Sequence, residues 1–156
     1  MRKLILEVPL ETSQFTFERL LRKQVEDDTP ALQHLKQQLS PGAELDSERL
    51  RRILSKTIFI WVCRLHPERR PIAMVSLCLL TPLEKDVGFV EDVVTDEAYR
   101  GRGYGKKLLQ KLIRFARSRG LSKLKLTSKD TRVHAIKLYL DLGFQPIDTN
   151  VFALTL

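Results

Sequence analysis

Val87-Gly88-Phe89-Val90-Glu91-Asp92-Val93-Val94 is followed six residues later by Arg100-Gly101-Arg102-Gly103-Tyr104-Gly105 and then by Lys106-Lys107-Leu108-Leu109. The first run is apolar and β-branched and reads as a strand. From Tyr104 onward, Leu108, Leu109, Leu112, Ile113 and Ala116 recur at helical spacing. Lys107, Lys111, Arg114 and Arg117 fall outside that face, and Gly120 supplies a C-terminal stop. A strand that enters a helix through a glycine-rich turn suits phosphate binding, because the first backbone N–H groups of a helix have no internal partner. Arg100, Arg102 and Lys106 would add charge to that grip, and the helix dipole favours the same anion.

Working outward, Ile58-Phe59-Ile60-Trp61-Val62 and the run from Ile72 to Leu80 flank the polar turn His66-Pro67-Glu68-Arg69-Arg70-Pro71, which predicts an antiparallel hairpin. Upstream, Leu4, Leu6 and Val8 predict a short first strand ended by Pro9. Phe17, Leu20, Leu21 and Val25 predict a helix over 15–25, and a second helix is expected to start at Thr29-Pro30, carry Leu32, Leu35 and Leu39, and stop at Ser40-Pro41-Gly42. A further helical turn is expected from Asp46 or Ser47. Downstream, Leu124, Leu126 and Ser128 predict a short strand, Ala135, Leu138, Tyr139 and Leu142 a helix ending at Gly143, and Phe144 to Leu156 a last strand. The order β-α-α-β-β-β-α-β-α-β predicts an α/β (α+β) single domain over 1–156, with a mostly antiparallel central sheet flanked by helices.

A chain of 156 residues suits one core. No apolar run approaches the roughly 20 residues that cross a bilayer, so a cytoplasmic protein without membrane contact is expected. Cys63 and Cys78 lie in apolar runs and are read as buried, reduced thiols. The net charge of +8 favours an anionic partner, and much of the excess falls between Arg100 and Arg132. Nucleic acid is one such partner, but the basic residues lack an interleaved aromatic platform, which sets that reading low. The lone His34, His66 and His134 suggest no metal site.

Two phosphate loops are excluded directly. A Walker loop needs Ser or Thr after Gly105-Lys106, where Lys107 stands, and the dinucleotide pattern lacks its third glycine and its βαβ unit. A glycine triplet among arginines also serves as a plain turn before a helix. What the segment resembles is the GNAT acetyltransferase pattern Arg/Gln-x-x-Gly-x-Gly/Ala, present as Arg100-x-x-Gly103-x-Gly105 behind its strand. Ala135-Ile136-Lys137-Leu138-Tyr139 and Leu142-Gly143-Phe144 resemble the same family's second block, so the similarity spans Val87 to Phe144.

The resemblance implies an acetyl-CoA-dependent N-acetyltransferase that acts by direct attack of a primary amine on the thioester. The acceptor would be a small molecule, an amino sugar or a peptide or protein amine. Residues Arg100, Gly101, Arg102, Gly103, Tyr104, Gly105 and Lys106 would cradle the CoA pyrophosphate, and main-chain groups of Val93 and Val94 would pair with the pantetheine arm. Tyr139 would protonate the departing thiolate, although its spacing also suits a core tyrosine. Glu91 and Asp92, consecutive on a strand, are expected on opposite faces, so only one readily enters the cleft. Glu91 is read as the base and Asp92 as a substrate contact, with the reverse assignment left open, as is a pair of solvated strand charges. Gly88 to Val94 is also similar to the matching strand of glucosamine-6-phosphate N-acetyltransferases. Arg132 stands where those enzymes carry asparagine, which counts against amino-sugar specificity, and Ser128 with Arg132 would contact CoA or acceptor unless Arg132 only solvates the start of its helix. Transfer of a longer acyl group, CoA binding without turnover, and either a monomer or a homodimer joined through the last strand are compatible with the same pattern.

Overall fold

The alternation that defines the hairpin is realised in β2 (Ile58–Leu65) and β3 (Arg70–Leu80), paired antiparallel. The computed structural model describes residues 14–54, 57–82 and 85–156. β4 (Val87–Thr95) joins β3 antiparallel, β1 (Phe15–Arg19) joins β2 antiparallel, and β5 (Lys123–Lys125) runs parallel to β4. The sheet order is β1-β2-β3-β4-β5. It is the mostly antiparallel sheet of a single α/β domain.

Each strand turns alternate residues to opposite cores. Phe59, Cys63, Val75, Leu77 and Val90 meet Leu108, Leu109 and Leu112 of α3 (Tyr104–Ser118). Ile60, Val62, Met74 and Val94 meet Leu32 and Leu35 of α1 (Val25–Leu39) and Leu50 of α2 (Ser47–Ile53). The Asp46 carboxylate accepts from the Arg49 N–H at 2.7 Å and fixes the start of α2, where the sequence places it. On the other edge, a Cβ at Gly88 would come within 2.7 Å of the Leu124 and Leu77 side-chain methyls, so a larger residue there would force those leucines to move.

Several expectations are corrected. Residues 15–19 form a strand where a helix was expected, because Phe15 and Phe17 both lie against Tyr104, with ring centroids 4.4 and 6.4 Å away, while the backbone pairs with β2. The helix expected from Pro30 begins at Val25, and Pro30 lies inside it. The Glu26 carbonyl loses its helical donor there, one turn before Pro30. No strand forms in 144–156: Pro146 lacks a ladder donor, and Val151, Phe152 and Leu154 are exposed. Ser128 lies beyond β5, in a loop. Cys63 is buried, but Cys78 is only partly so. The strand expected at Leu4–Val8 lies outside the described residues.

Candidate active site

The site starts from an irregularity in β4. Glu91 lies opposite Ser76 and Val94 opposite Met74, so three steps along β4 match two along β3. The extra residue is a β-bulge, and Asp92 takes it up with φ = 52°, a left-handed conformation that costs a residue with a side chain about 1–3 kcal/mol. The bulge breaks alternation. Glu91 and Asp92 therefore line the same cavity of about 450 Å³, contrary to the expectation from strand periodicity. The other walls come from α1 (Leu32, Lys36), the segment through α2 (Glu44, Arg49), β2 (Ile60) and β3 (Ser76, Cys78). Lys36 Nζ donates to Asp92 Oδ1 at 2.5 Å, and the Ser76 hydroxyl donates to Asp92 Oδ2 at 2.8 Å. Both carboxylate oxygens are thus engaged, and these bonds offset the strain of the bulge.

Beyond Phe89, before the bulge, β4 loses β5 as its neighbour on one side. β5 pairs only with Val87, Gly88 and Phe89, whereas β4 continues to Thr95. Among the described residues no strand covers that edge of 90–95, which includes Val93 and Val94, and it offers main-chain groups to an extended ligand. The edge leads to the start of α3, where a Cβ on Gly105 would stand 3.2 Å from Thr95 Oγ1.

Gly103 precedes α3 at φ = 81° with no side-chain cap, and Gly101 is also left-handed at φ = 75°. The N–H groups of Tyr104, Gly105 and Lys106 are the unpaired first donors of the helix. The Tyr104 side chain, by contrast, is buried against Phe15, so its contribution to the loop is its main chain. Arg100 is committed elsewhere: its Nε donates to the Thr95 carbonyl at 3.0 Å and its Nη2 to Gln38 Oε1 at 3.1 Å, tying the loop to β4 and α1. Arg102 stacks over Tyr99 at 5.4 Å, and Lys106 is exposed.

Tyr139 lies on α4 (Val133–Asp141), nearly buried, with its ring 6.0 Å from that of Phe144. Burial raises its pKa above the usual phenol value; Arg132 pulls the other way and Glu91 adds to the rise. The Tyr139 phenol is therefore a proton donor at neutral pH and feels the Glu91 charge. Arg132 Nη2 donates to the Leu39 carbonyl at 3.1 Å, so it fastens α4 to the end of α1. Ser128 reaches only the Lys129 carbonyl, at 3.5 Å. The structure brings together Glu91, Asp92 and the free edge at Val93 and Val94, with Tyr139 sensing Glu91. It adds Lys36, Ser76, Glu44 and Arg49, which sequence reasoning missed. Lys36 carries no local signal beyond a polar position on an amphipathic helix, and Ser76 stands as one hydroxyl inside an apolar strand.

A bulged strand of a mixed sheet thus leads to a glycine-rich helix start. Residues 20–144 match the acetyltransferase (GNAT) family, and the chain belongs to it. It is 42% identical over 82 residues to a glucosamine 6-phosphate N-acetyltransferase of Trypanosoma brucei brucei, covering 51% of this chain and 54% of that protein. The chain spans about half or less of the length of the curated relatives it matches. Among solved structures, an aminoglycoside acetyltransferase from an uncultured soil metagenomic sample superposes with TM-score 0.81 at 19% identity, over 93% of this chain and 98% of that one. That likeness is one of fold. A Trypanosoma brucei acetyltransferase superposes with TM-score 0.74 at 26% identity, over 90% of this chain and 99% of that one. No helix of the described residues is long and apolar enough to cross a membrane.

Proposed function

We propose that this chain works as one N-acetyltransferase domain that transfers an acetyl group from acetyl-CoA to a small primary amine. The observation that carries the reading is the bulge at Asp92. It puts two carboxylates into one cavity and leaves, on the same strand, a free main-chain edge leading to a helix start built for an anion. The residues fit the cosubstrate: glycines at left-handed φ leave the α3 N-terminus open, and Arg102 and Lys106 add positive charge beside it.

Glu91 takes the proton of the incoming ammonium, directly or through water, so that the neutral amine attacks the thioester carbonyl. The main-chain groups of Val93 and Val94 hold the pantetheine arm along the free edge of β4. Tyr139, kept protonated by burial, donates to the departing thiolate. Asp92, held by Lys36 and Ser76, shapes the acceptor side. A cavity of about 450 Å³ favours a small acceptor over a folded protein surface. The free thiols Cys63 and Cys78 support a reducing, cytoplasmic setting.

The test is an acetyl-CoA-dependent thiol-release screen across amines, amino sugars and peptides, run beside Gly103→Trp, whose indole would fill the space in front of α3. We expect turnover with a subset of small amines and its loss in the variant. Equal activity in the variant, or no calorimetric binding of CoA to the native chain, overturns the reading.

A further inference from the structure

The acceptor cavity already contains an amine. Lys36 Nζ lies 2.5 Å from Asp92 Oδ1, within hydrogen-bond reach of a carboxylate that can accept its proton. Asp92 is followed directly by Val93, on the β4 edge that no strand covers among the described residues. The Lys36 side chain is 30% exposed, so it is open to the cavity rather than sealed in the core. Four other ionisable groups line the same cavity: Glu91 on β4, Cys78 on β3, and Glu44 and Arg49 from the α2 segment. Lys36 is the amine among them. Burial, with Glu91 and Asp92 adding to it, pushes the Cys78 thiol up, so it stays protonated and is a poor rival nucleophile.

We propose that Lys36 is an internal acceptor and that the chain acetylates itself there, a step that rests on the acetyl-CoA reading above. Asp92 takes a proton from the Lys36 ammonium along the existing hydrogen bond. The freed lone pair on Nζ forms a C–N bond to the thioester carbonyl carbon as the C–S bond breaks. The nitrogen gives up its second proton to solvent as the amide forms, and the CoA thiolate leaves and takes a proton from Tyr139, which solvent then restores. The products are acetyl-Lys36 and CoA thiol, with one proton released overall. The acetylated side chain no longer neutralises Asp92, so Glu44, Glu91 and Asp92 face a single remaining cation, Arg49, and the cavity becomes a better seat for an external ammonium.

The experiment incubates the full chain with acetyl-CoA and no added amine, and maps acetyl-lysine by peptide mass spectrometry over time at several protein concentrations. Lys36 should be modified ahead of exposed Lys106 and Lys137, at a rate independent of protein concentration. Asp92→Asn should slow the step on the order of a hundredfold. Lys36→Arg, which keeps a cation on Asp92, should bind CoA and fold normally while losing the early modification. Acetylation of exposed lysines with Lys36 untouched, or a Lys36 rate that rises with protein concentration, overturns the proposal. CoA binding and turnover of an external amine without Lys36 modification overturns this inference alone, whereas no CoA binding at all removes the parent reading with it.

Discussion

The two ends of the cleft are built from different materials. The end at α3 is made of main chain: glycines at positive φ and helix N–H groups, supplied by consecutive residues. The end at Asp92 is made of side chains from α1, the α2 segment, β2, β3 and β4, with both carboxylates of β4 turned into it by one extra residue in the strand. Their supports differ as well. α3 rests on apolar packing of Leu108, Leu109 and Leu112. α1 is held in addition by a buried network, in which Arg64 Nη1 and Nη2 donate to the Asp28 carboxylate at 2.7 and 2.6 Å and Arg64 Nε donates to Glu18 at 2.6 Å. The first end presents mainly backbone groups, with charge added by Arg102 and Lys106. The second depends on charges that single substitutions remove.

The largest effect expected is on chemistry where the two ends meet. Tyr139→Phe should lower kcat by about a hundred- to ten-thousandfold while CoA affinity, measured by calorimetry, stays near native. Equal loss of binding and turnover would make Tyr139 part of the core instead and erase the functional division. Next comes the support of the acceptor end. Asp28→Asn leaves the buried Arg64 guanidinium with half of its pairing, and removing one partner of such a pair typically costs about 3–5 kcal/mol. Chemical denaturation measures the loss. Hydrogen exchange should locate it in α1 with α3 still protected, and uniform loss would show the two ends unfolding as one unit. Smaller still, Lys106→Ala should weaken CoA binding by roughly tenfold, the scale of one charge-assisted contact in a partly solvated site. Gly105→Ala should do as much through its tight approach to Thr95 Oγ1.

The difference in materials also explains what could be read from the sequence. The α3 end is local, so Arg100 to Gly105 announces it, and the hairpin, β4 and α3 follow from plain periodicity. Even there, the folded chain ties Arg100 to Thr95 and Gln38, which its place in the motif does not signal. The acceptor end is non-local. Period-two reasoning separates Glu91 from Asp92, and nothing in Val90-Glu91-Asp92-Val93 signals a bulge, because its partner residue lies in β3. Lys36 and Ser76 become site residues only through that register. Phe15–Arg19 shows the same limit, since Phe17, Leu20, Leu21 and Val25 satisfy a helical period while the open edge of β2 selects a strand.

The smallest effect is one of pH, and it centres on the charge network that joins β1 to α1. Burial raises the Glu18 pKa, but hydrogen bonds from Arg64 and Gln24 and the charges of Arg64 and Arg69 outweigh it, leaving the carboxyl below its ordinary value. A carboxyl depressed in the folded state binds fewer protons there than in the unfolded chain. Its stabilisation is therefore full above the unfolded pKa, ordinarily about 4.3, and drains away as pH falls through the lower folded value. The Glu18 side chain is 31% exposed, which keeps the effect small. Glu18→Gln should flatten the acid limb of a stability–pH profile below about pH 4.5 and leave the profile near neutrality shifted but parallel. Native hydrogen exchange on lowering pH should show α1 amides losing protection before those of α3, because Glu18 shares Arg64 with Asp28 of α1, whereas α3 packs through leucines. Simultaneous loss in both helices would mean that the charge network and the leucine core stabilise one cooperative unit.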